Sequence, residues 1–236
     1  MRDAGRTGVL GGTFDPIHRG HLDVAEAAQG ALHLARVILM PSSVPPHRAQ
    51  PATSSYHRFA MTAFAVAGRP GWAVSDLELC GPAPSFTSTT LQQLHRAGYL
   101  AHDLFFLIGA DAFADIATWR DYPEILTRAH FAVVSRPGFP VADLPDRLPS
   151  LRPHMTTSPA DLHTTPMIVL IDAPTADVSS TAIRNRCAGG ASIDGMVHPA
   201  VRQHIEQHGL YTSNAPRRRA DDATRTAGAG RLHGEG

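Results

Sequence analysis

The stretch GGTFDPIHRGHL (Gly11–Leu22) holds two histidines, His18 and His21, three positions apart around a glycine. Paired glycines, Gly11 and Gly12, close the apolar run that precedes it. A residue without a side chain lets the backbone turn tightly and lets a ligand approach the main chain. If a helix starts near Gly20, its first N–H groups and positive dipole end face the same gap. Residues at i and i+3 share one side of a helix, so both imidazoles would border that gap. Neutral or protonated, they could donate hydrogen bonds to phosphoryl oxygens as charge builds in a transition state. A zinc pair is the competing reading, but no carboxylate or Cys accompanies the histidines at helix spacing.

Far along the chain, VSSTAIRNR (Val178–Arg186) has the makings of a second anion site. Ser179 or Ser180 can cap the helix that follows, and its first amides have no partner within the helix. Arg184 falls one turn further on, beside Ser180 and Thr181. Hydroxyls, amides and a guanidinium together suit a triphosphate.

Elements must position these groups. TGVLGG (Thr7–Gly12), VILMP (Val37–Pro41), LFFLIG (Leu104–Gly109), HFAVVS (His130–Ser135) and MIVLID (Met167–Asp172) read as strands. WAVSDLEL (Trp72–Leu79) reads as a strand near a sheet edge. Helices are expected from Leu22 to Leu32, from a Ser cap at Ser54 to Gly68, from Thr87 to Arg96 and through Pro123–Arg128. Strands alternating with helices predict an α/β fold, a doubly wound parallel sheet covered on both faces. Ligands in such folds bind beyond the carboxyl ends of the strands, where the winding reverses. Gly11–His21, Pro41–Arg48, Gly109–Asp111 and Ser135–Gly138 all follow strand ends and should converge on one rim. The proline-rich stretch Pro137–Thr165 has no clear period and reads as a surface loop or lid. A single domain over residues 1–212 is expected, with a disordered tail over 213–236 that lacks large apolar side chains.

Composition narrows the chemistry. The 236 residues are 43% hydrophobic and carry a formal net charge of zero, so there is no basic field for a nucleic-acid partner. All 21 basic residues are arginine; lysine is absent, which excludes a Walker A loop and a Schiff-base enzyme. Two cysteines, Cys80 and Cys187, are too few for a disulfide framework and fit a reducing cytoplasm. The longest strongly apolar run, Leu104–Ala110, is too short to span a bilayer, and no secretory signal pattern opens the chain.

GGTFDPIHRGH resembles the fingerprint of the His-x-Gly-His nucleotidyltransferase superfamily, and VSSTAIR resembles its ISSTxIR motif, with Val178 for Ile. PSSVPPHR (Pro41–Arg48), PSFTSTTL (Pro84–Leu91), FLIGADAF with TWRDYPEIL (within Phe106–Leu126), VVSRPGF (Val133–Phe139) and VRQHIEQHGLY (Val201–Tyr211) are similar to segments of the bacterial nicotinate-mononucleotide adenylyltransferases. The resemblance implies a Rossmann-like nucleotidyltransferase fold with a C-terminal helical segment. It implies adenylyl transfer from ATP to nicotinate mononucleotide in NAD biosynthesis, with Mg²⁺ carried on ATP and no dedicated protein metal site. His18, His21 and Arg184 would be catalytic. Gly11, Gly12, Thr13, Phe14, Gly109, Asp111, Ser179, Ser180 and Thr181 would bind ATP. Arg48, Ser85, Thr87, Trp119 and Arg136 would surround the pyridine nucleotide, with His47 also within reach of a phosphate. Phe86 stands where relatives often carry Tyr, and Ser42 and Ser43 replace larger polar residues. Neither a membrane nor a nucleic acid is implied as a partner, and self-association stays open. The competing readings are nicotinamide mononucleotide or phosphopantetheine as acceptor, a nucleotide-binding module without turnover, and a zinc-binding regulatory domain. Pantetheine enzymes usually carry Thr at the position of His18.

Overall fold

The computed structural model describes residues 5–44, 50–81, 84–162 and 164–212. In chain order the regular elements are β1 (Thr7–Gly12), α1 (Arg19–Leu32), β2 (Arg36–Pro41), α2 (Ser55–Val66), β3 (Trp72–Val74), α3 (Thr87–Arg96), β4 (Leu104–Gly109), α4 (Ala110–Phe113), β5 (His130–Val134), α5 (Leu144–Arg147), β6 (Met155–Thr156), β7 (Ile168–Ile171), α6 (Ser180–Ala188) and α7 (Pro199–Gln207). The strands form one seven-stranded sheet in the order β3-β2-β1-β4-β5-β7-β6. Every pairing is parallel. The winding reverses between β1 and β4, so the switch-point crevice opens beyond Gly12 and Gly109.

A strand inside such a sheet buries both faces, and β4 shows why LFFLIG lacks polar alternation. Phe105 and Leu107 face a core shared with Leu22, Ala25, Ala28 and Leu32 of α1, Met61 of α2, Ile183 of α6 and Val201 of α7. Leu104, Phe106 and Ile108 face the opposite core with Leu91 of α3, Phe113 of α4 and Leu144 of α5. The apolar stripe of α1 (Leu22, Ala25, Ala28, Leu32) has helical spacing because it lies on a flat sheet face. Ser54 caps α2 by accepting the His57 N–H, and Gly68 (φ 76°) leads the chain away.

Three expectations change. Only Trp72–Val74 of the WAVSDLEL segment pairs, along β2 at the sheet edge. Beyond it the chain folds back on itself, with the Leu79 and Cys80 amides donating to the Asp76 carbonyl. The helix expected through Pro123–Arg128 is a 3-10 turn over Glu124–Thr127. The Pro137–Thr165 connector is more than a bare loop. It carries α5, three 3-10 turns and the edge strand β6, and it buries Val141, Leu144 and Leu151. Short prolyl turns have no 3.6-residue period to reveal them. Among the described residues no helix is long and apolar enough to cross a membrane. The tail over 213–236 lies outside the described residues.

Candidate active site

The loop after β1 does not turn on its glycines. Gly11 and Gly12 remain strand residues paired with Met40 and Pro41, and the left-handed residue is Phe14 (φ 49°). Glycine at position 12 is required for another reason. A Cβ there would lie 2.6 Å from the Phe14 ring, which folds back over the strand end. Phe14 is buried, and its ring meets His21 edge-on at 5.0 Å between centroids.

His18 is the cap residue of α1, with extended backbone (φ −145°, ψ 172°). Its ring stacks on that of His21 at 3.7 Å. The His18 N–H donates to His21 Nδ1 at 3.3 Å. An Nδ1 that accepts leaves the ring proton on Nε2, the nitrogen able to donate outward. His18 is 5% exposed, and its buried Nδ1 has no hydrogen-bond partner. Burial, aided by the nearby Arg136 charge, pushes its pKa down to about 3, so the ring is neutral near pH 7. The His18 ring therefore serves as a polar contact and not as a cation.

The two sequence motifs meet. Arg184 donates from Nη1 to the Asp15 carbonyl at 2.8 Å and from Nη2 to Thr181 Oγ1 at 3.1 Å. Ser180 Oγ donates to the Pro16 carbonyl at 2.9 Å, while Ser179 Oγ accepts the Ala182 N–H and caps α6. The start of α6 is thus pinned to the loop that leads into His18. Asp23 ties the preceding segment to α1: it accepts from Arg19 Nε at 2.7 Å and from the Ala176 N–H at 2.8 Å.

Arg136 reaches from the end of β5 to the start of α1. Its guanidinium reaches the carbonyls of Gly20 (3.2 Å), Ala176 (3.5 Å) and Val178 (3.4 Å), bracing the start of α1 against the segment before α6. Gly20 makes room for it, since a Cβ at that position would stand 2.5 Å from Arg136 Nη1. Gly109 is covered by the Arg136 side chain and by the Asp111 carboxylate: a Cβ there would lie 2.9 Å from Arg136 Cγ and 2.5 Å from Asp111 Oδ1. Asp111 itself is exposed at the rim.

On the other side of the crevice, Gly11 packs on the Phe106 ring, and Phe106 meets the half-buried Trp119 edge-on at 6.1 Å. Arg120 lies 4.7 Å from the Phe86 ring centroid, which draws the Trp119 segment to the start of α3, where Thr87 stands. Ser85 Oγ accepts the Ser43 N–H at 3.0 Å, and the Ser85 N–H donates to the Val44 carbonyl at 3.0 Å. The loops after β2 and before α3 are therefore joined. Arg48 and His47 lie outside the described residues.

Two supports escaped the sequence reading. Arg58 of α2, 1% exposed, donates from Nη1 to the carbonyls of Thr13 and Ser42, both at 2.7 Å, and from Nη2 to that of Ser43 at 3.1 Å. It holds the ends of β1 and β2 from behind. Asp15, 4% exposed, accepts from the Ala52 N–H at 2.6 Å and from the Tyr211 hydroxyl at 2.7 Å. Burial and the Asp15 charge raise the Tyr211 pKa, keeping it a neutral donor. A polar residue inside a helix and a Tyr after the last helix give no signal of such partners; only the fold brings them together.

The arrangement is a crevice with two helix N-termini, two stacked imidazoles and a guanidinium at one end and an aromatic flank at the other. Comparison with known proteins agrees with that chemistry. Residues 9–186 match the family model described as cytidylyltransferase-like. A protein of Roseiflexus sp. (strain RS-1) named "Probable nicotinate-nucleotide adenylyltransferase" is 43% identical over 209 residues, covering 86% of this chain and 96% of its own. The nicotinate-nucleotide adenylyltransferase of Salmonella typhimurium (strain LT2) is 39% identical over 206 residues, covering 86% and 97%. The chain belongs to the nicotinate-nucleotide adenylyltransferase family. Its fold is also that of the Plasmodium falciparum nicotinic acid mononucleotide adenylyltransferase complexed with NaAD, at a TM-score of 0.63 and 19% identity over 88% of this chain and 97% of that one.

Proposed function

We propose that the chain transfers the adenylyl group of MgATP to nicotinate mononucleotide, giving nicotinate adenine dinucleotide and pyrophosphate. The observation that carries this reading is the junction of the two motifs, with Arg184 on the Asp15 carbonyl and Ser180 on the Pro16 carbonyl. An adenylyltransferase needs its triphosphate donors on one wall, and this junction builds that wall.

The mononucleotide phosphate is the nucleophile. Its second pKa near 6 leaves it mostly dianionic at neutral pH, so no general base is required. A phosphate oxygen attacks the α-phosphorus of ATP in line, a P–O bond forms, and the bond to the β-phosphate oxygen breaks to release pyrophosphate. Little covalent work falls to the protein, and catalysis is positioning with charge stabilisation. The stacked histidines donate hydrogen bonds to α-phosphoryl oxygens as charge grows there. Arg184 contributes the fixed positive charge, and the amides at the start of α6 face the β- and γ-phosphates. Arg136 acts as a positioning residue between the two helix starts. Gly109 and Asp111 border the ribose, and Ser85, Thr87 and Trp119 receive the pyridine nucleotide.

Magnesium is carried by ATP and shields the triphosphate charge. Asp15 and Asp23 each accept two hydrogen bonds that hold the loop and α1 in place, and the ATP phosphates would supply most of the ion's ligands.

The test is pyrophosphate release from MgATP with nicotinate and nicotinamide mononucleotides side by side. Donors at the start of α3 favour a carboxylate over an amide, so the nicotinate substrate should lead in kcat/KM by at least about tenfold, the equivalent of one charge-assisted hydrogen bond. Equal use of both, or release with neither, would overturn the reading.

A further inference from the structure

Where α2 packs against α7, three imidazoles converge. His57 of α2 faces His204 of α7 and His208 at the C-terminal end of α7. His57 Nδ1 and His204 Nε2 are 3.0 Å apart. The His208 ring lies 4.9 Å from that of His57 and 4.4 Å from that of His204. One ring nitrogen from each falls within 4.8 Å of the other two. His204 is 8% exposed, His57 half-buried and His208 exposed.

We infer that these three histidines form a site for a zinc-class divalent transition metal that fastens α7 to α2. Bonds of 2.0–2.1 Å in a tetrahedron put two ligand nitrogens about 3.3 Å apart. The His57–His204 pair already stands near that separation. His204 and His208 are i and i+4 on one helix, the spacing by which a single helix presents two imidazoles to one ion. The remaining closure is a rotation of the exposed His208 ring. Three imidazole ligands select a borderline metal such as Zn²⁺, Co²⁺ or Ni²⁺ over the hard Mg²⁺ that accompanies ATP. Solvent supplies the fourth ligand. Arg58, next to His57, holds the Thr13 carbonyl, so the ion would stiffen the helix that supports the phosphate loop without touching substrate.

The experiment uses the full chain, stripped with chelator and titrated with Zn²⁺ alone, with Co²⁺ substituted for spectroscopy. One equivalent should bind, Co²⁺ should give the visible bands of a tetrahedral centre, and Tm should rise by roughly 5–10 °C at a hundredfold excess over Kd. His208→Ala, at an exposed position, should leave the metal-free Tm unchanged. It should weaken Zn²⁺ binding by more than the roughly 10–100-fold typical of losing an outer partner. His21→Ala should bind Zn²⁺ as the parent does. No binding, binding indifferent to His208→Ala, binding lost in His21→Ala, or binding with no rise in Tm would each overturn the proposal.

Discussion

Gly20→Ala isolates the role of Arg136. Gly20 is buried in the first turn of α1, where its backbone is helical, so alanine meets no conformational penalty there. On propensity alone the change stabilises the helix by about 1 kcal/mol. Space decides otherwise. The new Cβ would lie 2.5 Å from Arg136 Nη1 and 3.1 Å from the Ala176 carbonyl oxygen. Ordinary contact begins at 3.4 Å, so the guanidinium must retreat by about 0.9 Å and the Ala176 backbone by about 0.3 Å. Overpacking of this kind costs about 1–3 kcal/mol, leaving a net loss of roughly 0–2 kcal/mol in urea unfolding. Activity should suffer more, because a displacement near 1 Å between the two helix starts proposed to bind phosphate costs about 10²-fold. Steady-state pyrophosphate release should show that loss in kcat/KM. In an Arg136→Ala background most of the conflict is gone, and adding Gly20→Ala should cost less than about tenfold more. Wild-type kcat/KM in Gly20→Ala, or two fully multiplicative losses in the double variant, would refute the bracing role.

Other outcomes follow from the same contacts. Arg58→Met should destabilise the protein by about 3 kcal/mol or more, since three carbonyls lose charge-assisted donors inside the fold; urea unfolding measures it, and a change below about 1 kcal/mol would contradict the brace. The pH dependence of stability has a defined sign. His18 is held near a pKa of about 3, and burial likewise pushes His130 down to about 4, both below the unfolded value near 6.5. The unfolded chain therefore binds more protons in that window. The contribution of these groups is complete above about pH 6.5 and shrinks as pH falls toward 4, by roughly 2 kcal/mol for His18 at pH 5. An NMR titration in which the His18 ring protonates near pH 6.5 would refute that placement.

The sequence exposes those parts of the site whose chemistry is local. GGTFDPIHRGH and VSSTAIR each carry strand end, turn and capped helix in one string, so α1 and α6 start where their residues say they do. The sheet was legible because buried parallel strands read as unbroken apolar runs. The long-range members were not. Nothing in VVSRPGF signals that the bend after β5 sets Arg136 on the carbonyls of Gly20 and Val178; strand order does that. Arg58 and Tyr211 look like ordinary polar residues until the fold sets them on Thr13 and Asp15. Strand β6, two residues long among prolines, exists only because β7 offers an open edge.

The most direct test is pyrophosphate release by His21→Ala from MgATP and nicotinate mononucleotide, with Tm recorded on the same sample. Loss of one donor to the transition state should lower kcat by about 10²–10³-fold, while loss of the contacts to His18 and Phe14 lowers Tm by only a few degrees and leaves the protein folded at the assay temperature. Turnover at the wild-type rate would contradict the assignment of the stacked histidines to adenylyl transfer.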